Sequence, residues 1–121
     1  MPSHKVEMST AKPNPMDPKV KDLSPNEVFE KKDLVQLVDV RGVEELQGEL
    51  GHMENITHIP LDQVGSRLGD LNKDSTIVFI CRSGRRSAAA ASFAIDQGFD
   101  AYNMDGGMLL WNELNLPLAN K

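Results

Sequence analysis

The chain has 121 residues, 40% of them hydrophobic and 26% charged, and a formal net charge of −5. These values suit one soluble globular domain and exclude a disordered chain. The acidic balance argues against an extended basic face for nucleic acid, while a local basic cluster can still hold a small anion. No apolar run approaches the roughly 18 residues of a membrane span, and Met1–Val20 lacks the apolar stretch of a secretory signal. A single cysteine cannot close an internal disulfide, so a reducing cytoplasm is the expected location.

Residues 1–22 hold four of the seven prolines and little apolar periodicity. They are read as an extended, flexible leader with a short strand near Val6, and residues 23–121 as the domain. Ser24-Pro25-Asn26-Glu27 carries the pattern of a helix start: a capping serine, a first-turn proline and a glutamate three residues after the cap. That helix is expected to run to about Lys32. Leu34–Val40 is a nearly continuous apolar run, as in a strand buried on both faces. Val43–Leu50 reads as a short helix and Thr57–Pro60 as a short strand that its proline ends. Asp62–Leu68 reads as a helix interrupted by Gly65. Thr76–Ile80 is the second strong strand, all β-branched or aromatic.

An alanine-rich helix is predicted over Ala88–Gln97, with Gly98 as the residue that ends it. A strand over Ala101–Met104 and a helix over Met108–Leu114 complete the series. Strands and helices alternate throughout, which predicts an α/β fold with a mostly parallel sheet.

The chemistry concentrates in Cys81-Arg82-Ser83-Gly84-Arg85-Arg86-Ser87, between a buried strand and a helix. Ligands of open α/β sheets bind beyond the carboxyl ends of the strands. Three of the five arginines fall in these seven residues. Arg85 and Arg86 stand at the start of a helix, where cations are disfavoured by about 0.3–1 kcal/mol each. A bound anion, or a thiolate held in the loop, would account for them. The same field holds a thiol toward its nucleophilic thiolate form. In this reading Cys81 attacks the outer sulfur of a donor, and loop N–H groups stabilise the resulting persulfide. Arg82, Arg85 and Arg86 would position a small anionic donor such as thiosulfate by charge-assisted hydrogen bonds. No histidine base or cofactor is called for, and the histidines and cysteine show no metal-ligand spacing.

With these motifs in place, the chain resembles the rhodanese family in its single-domain form, over about Ser24 to Leu118. Leu37-Val38-Asp39-Val40-Arg41, Gly51-His52-Met53, Ile59-Pro60-Leu61, the Cys81–Ser87 loop, and Gly106-Gly107-Met108 with Trp111 and Pro117 stand in the family's order. The resemblance implies a three-layer rhodanese fold with a mostly parallel central sheet flanked by helices, a Cys81 persulfide cradled by residues 82–86, and thiosulfate sulfurtransferase activity. Cyanide, a thiol or a protein would accept the sulfur. Glu54-Asn55-Ile56 departs from the family's Pro-Gly-Ala.

Asp39 and Arg41 are expected to form a structural pair, His52 to be hydrogen-bonded, and Trp111 to be core. Ser87 would bond the loop or cap the helix. A related phosphatase or arsenate reductase needs an arginine after five intervening residues. Here that place is Ser87, and Arg86 follows after four. A binding module without chemistry is disfavoured because the cysteine and the arginines are present, whereas a persulfide carrier that hands sulfur to a partner protein stays open as an alternative. The chain has no second cysteine to resolve a persulfide, so the sulfur must leave to an external acceptor.

Overall fold

The computed structural model describes residues 5–119. Six strands form one sheet: β1 (Lys12–Pro13), β2 (Lys21–Leu23), β3 (Gln36–Asp39), β4 (Thr57–His58), β5 (Ile77–Ile80) and β6 (Ala101–Met104). Their order is β1-β2-β6-β5-β3-β4, parallel except for the β1–β2 pair. The helices are α1 (Pro25–Lys31), α2 (Val43–Leu46), α3 (Val64–Arg67), α4 (Arg85–Asp96) and α5 (Gly107–Glu113). Among the described residues no helix is long and apolar enough to cross a membrane.

The period of two along β5 decides which layer each side chain joins. Ile77, Phe79 and Cys81 pack with Val64 of α3, Leu68 just after it, and Ala90, Ala91 and Ala94 of α4. Val78 and Ile80 pack with Val28, Met108 and Trp111 from α1 and α5. Both sheet faces are therefore covered, as the continuous apolar runs predict. The small alanines of α4 let this helix lie close to the central strands. Cys81 continues the inward series of β5, so strand geometry carries it to the α4 side.

Several elements differ in extent from the sequence reading. The expected helix over 43–50 stops at Leu46, because the Arg41 guanidinium draws the Gly51 carbonyl back at 2.8 Å and Gly51 turns at φ 61°. The expected helix over 62–68 is a single α-turn between two 3-10 turns. The α4 helix begins at Arg85, three residues before the alanine run.

The segment expected to be a flexible leader is packed against the domain over part of its length. Of it, residues 1–4 lie outside the described residues, as do 120–121 of the domain. Packing begins well before residue 23. Val20 is fully buried, and β1 and β2 extend the sheet. No strand forms at Val6, whose N–H instead donates to Thr76 Oγ1 at 2.8 Å. The capping motif explains how this segment is held. Ser24 Oγ accepts the Glu27 N–H at 3.2 Å as expected, but Glu27 does not reach back to Ser24. Its carboxylate takes the N–H groups of Ser9 and Thr10 at 2.7 and 2.8 Å, both their hydroxyls, and Lys31 Nζ at 2.6 Å. The Ser24 N–H goes to Thr10 Oγ1 instead. The polar residues that suggested a solvated leader are the partners of a buried glutamate.

Burial pushes the Glu27 carboxyl up, but hydrogen bonds from Lys31, Thr10 and the Ser9 and Thr10 backbone outweigh it and bring its pKa from 4.5 to about 2. A depressed folded pKa means stability that is present above the unfolded value and lost as pH falls through the folded one. Wild-type melting temperature should thus decline between pH about 4.5 and about 2. Glu27→Gln should be less stable at pH 7 and show a flatter decline over that window. Parallel pH curves for the two proteins would contradict this account.

Candidate functional site

Beyond the end of β5, the chain turns inward around one sulfur atom. Cys81 Sγ accepts the Gly84 N–H at 3.1 Å, and Ser87 Oγ stands 3.2 Å away. Gly84 has φ 98°, a left-handed conformation that allows the loop to close in so few residues. It also lies against the backbone of residues 104 and 106, where a Cβ would meet the Gly106 nitrogen at 3.4 Å. Cys81 is 1% exposed and Ser87 is buried, while Arg82, Ser83 and Arg85 are exposed.

The outer side of the loop is held by the start of α5. Met108 N donates to the Cys81 carbonyl at 2.8 Å and Leu109 N to the Arg82 carbonyl at 3.0 Å. These bonds occupy the carbonyls of the first two loop residues and fix the orientation of the peptide planes. The glycine pair Gly106-Gly107 is thus part of the loop's support, although it lies 25 residues further along the chain.

The three loop arginines divide into two kinds. Arg86 donates from both terminal nitrogens to the Glu45 carboxylate, at 2.8 Å each, and Glu45 also accepts the Gly42 N–H at 2.8 Å. Its guanidinium partner lowers Glu45 to about 2, although partial burial opposes this. Glu45 in turn raises Arg86. Of the three arginines expected to position an anion, Arg86 is engaged by a resident carboxylate. Glu45, which the sequence reading did not single out, supplies the charge that Arg86 needs at a helix start. The guanidinium groups of Arg82 and Arg85 have no hydrogen bond or ion pair among the described residues.

Asp39 and Arg41 form the buried pair expected of them. Both are at most 1% exposed, and Arg41 NH2 lies 2.8 Å from Asp39 Oδ2. Arg41 also reaches the Gly51 carbonyl, while its own carbonyl is bonded by the His58 ring at 2.6 Å. This network fixes the turn that carries α2, and hence Glu45, to the loop. His52 Nδ1 lies 3.0 Å from the Met53 carbonyl, and Trp111 is buried with its Nε1–H on the Pro117 carbonyl at 2.9 Å. Asn55 of the departing segment adopts a left-handed φ of 61°.

Ser87 and Asn103 join the site from opposite elements. Ser87 Oγ lies 2.5 Å from Asn103 Oδ1 on β6. The polar residue in the expected strand Ala101–Met104 was the only hint of Asn103, because a buried strand that keeps an asparagine must satisfy it.

A model of the rhodanese-like domain matches residues 24–114. The chain belongs to the rhodanese-like family. Over 91 residues it is 35% identical to YtwF of Bacillus subtilis, covering 75% of this chain and 86% of that one. To the thiosulfate sulfurtransferase GlpE of Pseudomonas aeruginosa it is 34% identical over 80 residues, 65% of this chain and 71% of GlpE. A rhodanese-related protein of Thermoplasma volcanium superposes with a TM-score of 0.77 at 27% identity, covering 83% and 98% of the two chains. The rhodanese-like domain described here is therefore a member of a sulfurtransferase family, with that family's parallel sheet and flanking helices.

Proposed function

We propose that this domain takes the sulfane sulfur of an anionic donor such as thiosulfate onto Cys81 and passes it to an external acceptor. Cys81 thiolate attacks the outer sulfur. A new S–S bond forms, the donor's S–S bond breaks, and sulfite leaves with the bonding electrons. An acceptor nucleophile, cyanide or the thiolate of a small molecule or protein, then attacks the outer sulfur of the persulfide. Cys81 Sγ leaves as thiolate, and the cycle closes without a net change in oxidation at the cysteine. A reducing compartment such as the cytoplasm suits a thiol that must stay free between turnovers.

The observation that carries this reading is the fit of the loop around a single sulfur. Gly84 N–H lies 3.1 Å from Sγ, Ser87 Oγ lies 3.2 Å from it, and the side chain is almost entirely enclosed. Such a cradle suits the addition of one further sulfur atom. A tetrahedral phosphoryl group needs a wider ring of donors, so an aryl phosphate should not be turned over.

Anion positioning falls to Arg82 and Arg85, the two loop arginines whose guanidinium groups have no partner among the described residues. Arg85→Ala should lower kcat/KM for thiosulfate by roughly tenfold, since a charge-assisted hydrogen bond is worth about 1.5–3 kcal/mol when unscreened and less at an exposed site. Reaction with an uncharged sulfane donor should change less than twofold. Equal losses for both donors, or turnover of an aryl phosphate, would count against the proposal.

A further inference from the structure

A chain of side-chain contacts leads from Cys81 to the segment before Ser24. We propose that Asp22 and Asn103 act as positioning residues that set the ionisation of Cys81 by controlling the single hydrogen of the Ser87 hydroxyl. The proposal deepens the reading of Cys81 as the nucleophile and rests on it.

Hydrogen-bond inventory fixes the direction of every contact. Asn103 Nδ2 donates to Asp22 Oδ1 at 2.9 Å, and Asn14 Nδ2 donates to the same carboxylate at 3.1 and 3.2 Å. A carboxylate only accepts, so the Asn103 amide must turn its oxygen toward Ser87. That oxygen, 2.5 Å from Ser87 Oγ, can only accept. A hydroxyl has one hydrogen. While Asn103 holds it, Ser87 offers a lone pair to Cys81 Sγ at 3.2 Å, and the S–H of the neutral thiol is the matching donor. A thiolate needs the reverse: the hydroxyl must withdraw its hydrogen from Asn103 and turn it to sulfur. Ser87 is fully buried and Asn103 is 2% exposed, so the exchange is confined to these groups.

The competition has a chemical use. A thiol made too acidic becomes a poorer nucleophile. By holding the Ser87 hydrogen, Asn103 keeps the sulfur basic enough to attack. When Sγ later leaves from the persulfide, the same hydrogen is available to turn back to it. Charged and titratable groups on the elements around Cys81 include Arg82, Arg85, Arg86 and Asp96 of the loop and α4, and Asp39 and Arg41 at the end of β3. Glu44 and Glu45 on α2, His58 on β4, Arg67 on α3 and Asp105 before α5 belong with them. None of these is altered in the experiment.

Because the chain has one cysteine, the pH dependence of its alkylation by iodoacetamide reports Cys81 alone. Asn103→Leu, which is close in size and has no polar group, releases the hydroxyl to the thiolate. The alkylation midpoint should fall by about one pH unit, a tenfold rise in the ionisation constant. In a Ser87→Ala background, adding Asn103→Leu should move the midpoint little. Asp22→Ala, at a partly exposed site, should lower the midpoint in the same direction by several-fold and covers the case in which Asn103→Leu fails to fold. An unchanged or raised midpoint in either variant, or a full shift that persists without the Ser87 hydroxyl, would overturn the proposal. Alkylation needs no sulfur donor. A wild type that takes up no sulfur but shows these shifts defeats only the transfer reading, and the reverse pattern defeats only this one.

Discussion

Gly107→Ala should destabilise the fold by about 4 kcal/mol or more and remove sulfur transfer, placing it among the exceptional single substitutions. A Cβ at this position would stand 2.4 Å from the Arg82 carbonyl oxygen and 2.5 Å from the Cys81 carbonyl oxygen. Both are backbone atoms, already fixed by the N–H groups of Met108 and Leu109, so neither can rotate aside. The residue also has φ 56°, where an L side chain costs roughly 1–2 kcal/mol before any clash. Relief requires α5 to withdraw from the loop, which frees the two carbonyls and loosens the peptides that surround Sγ. Gly69→Ala is the control, because nothing lies within 4 Å of a Cβ there. Denaturant unfolding and turnover of the two variants decide the matter. A Gly107→Ala protein within about 1 kcal/mol of wild type and fully active would refute the steric account.

Arg41→Ala should cost about 3–5 kcal/mol, the usual result of removing one partner of a buried ion pair. Asp39 is fully buried and would keep only the backbone N–H of residue 41 at 3.0 Å in place of three contacts from the guanidinium. The Gly51 carbonyl would lose its donor as well. Replacing both partners by apolar residues, Asp39→Leu with Arg41→Met, should recover part of the loss, because the uncompensated charge disappears with the pair. Urea unfolding of the single and double variants measures this directly. If the double variant is as unstable as the sum of the singles, the pair does not act as a unit. Activity should fall with Arg41→Ala, because the same guanidinium anchors the turn that presents Glu45 to Arg86.

Much of this architecture is legible in the residues themselves. The apolar runs at 37–40 and 77–80 identify the central parallel strands because burial on both faces leaves no room for alternation. The inward place of Cys81 follows from the period of β5. The pairing of Asp39 with Arg41 is a contact between near neighbours, and Trp111 is core at helical spacing. What the sequence did not reveal depends on long-range contacts. Glu45 and Arg86 are 41 residues apart, and Ser87 and Asn103 are 16 apart. No local rule links them. The packing of the segment before Ser24 is hidden in the sequence for a related reason. Its prolines and polar residues look solvated until Glu27, buried by the fold, gathers Ser9 and Thr10. Asp22 is equally ordinary as a residue of an edge strand and gains its meaning from Asn103.

The capping signal shows the same limit. Ser24 and Glu27 stand at the spacing of a reciprocal cap, and the serine half forms. The glutamate half is taken by a competing partner from elsewhere in the chain. In Arg86 the competition runs the other way. A cation at a helix start suggested an incoming anion, and a resident carboxylate already fills that role.

The most direct test of the central claim is an intact mass spectrum of the protein after incubation with thiosulfate. Wild type should gain the mass of one sulfur atom, and cyanide or a thiol reductant should remove it. Cys81→Ser should gain none under the same conditions. A wild-type protein whose mass does not change with any sulfane donor, or a Cys81→Ser variant that takes up sulfur equally well, would contradict the account.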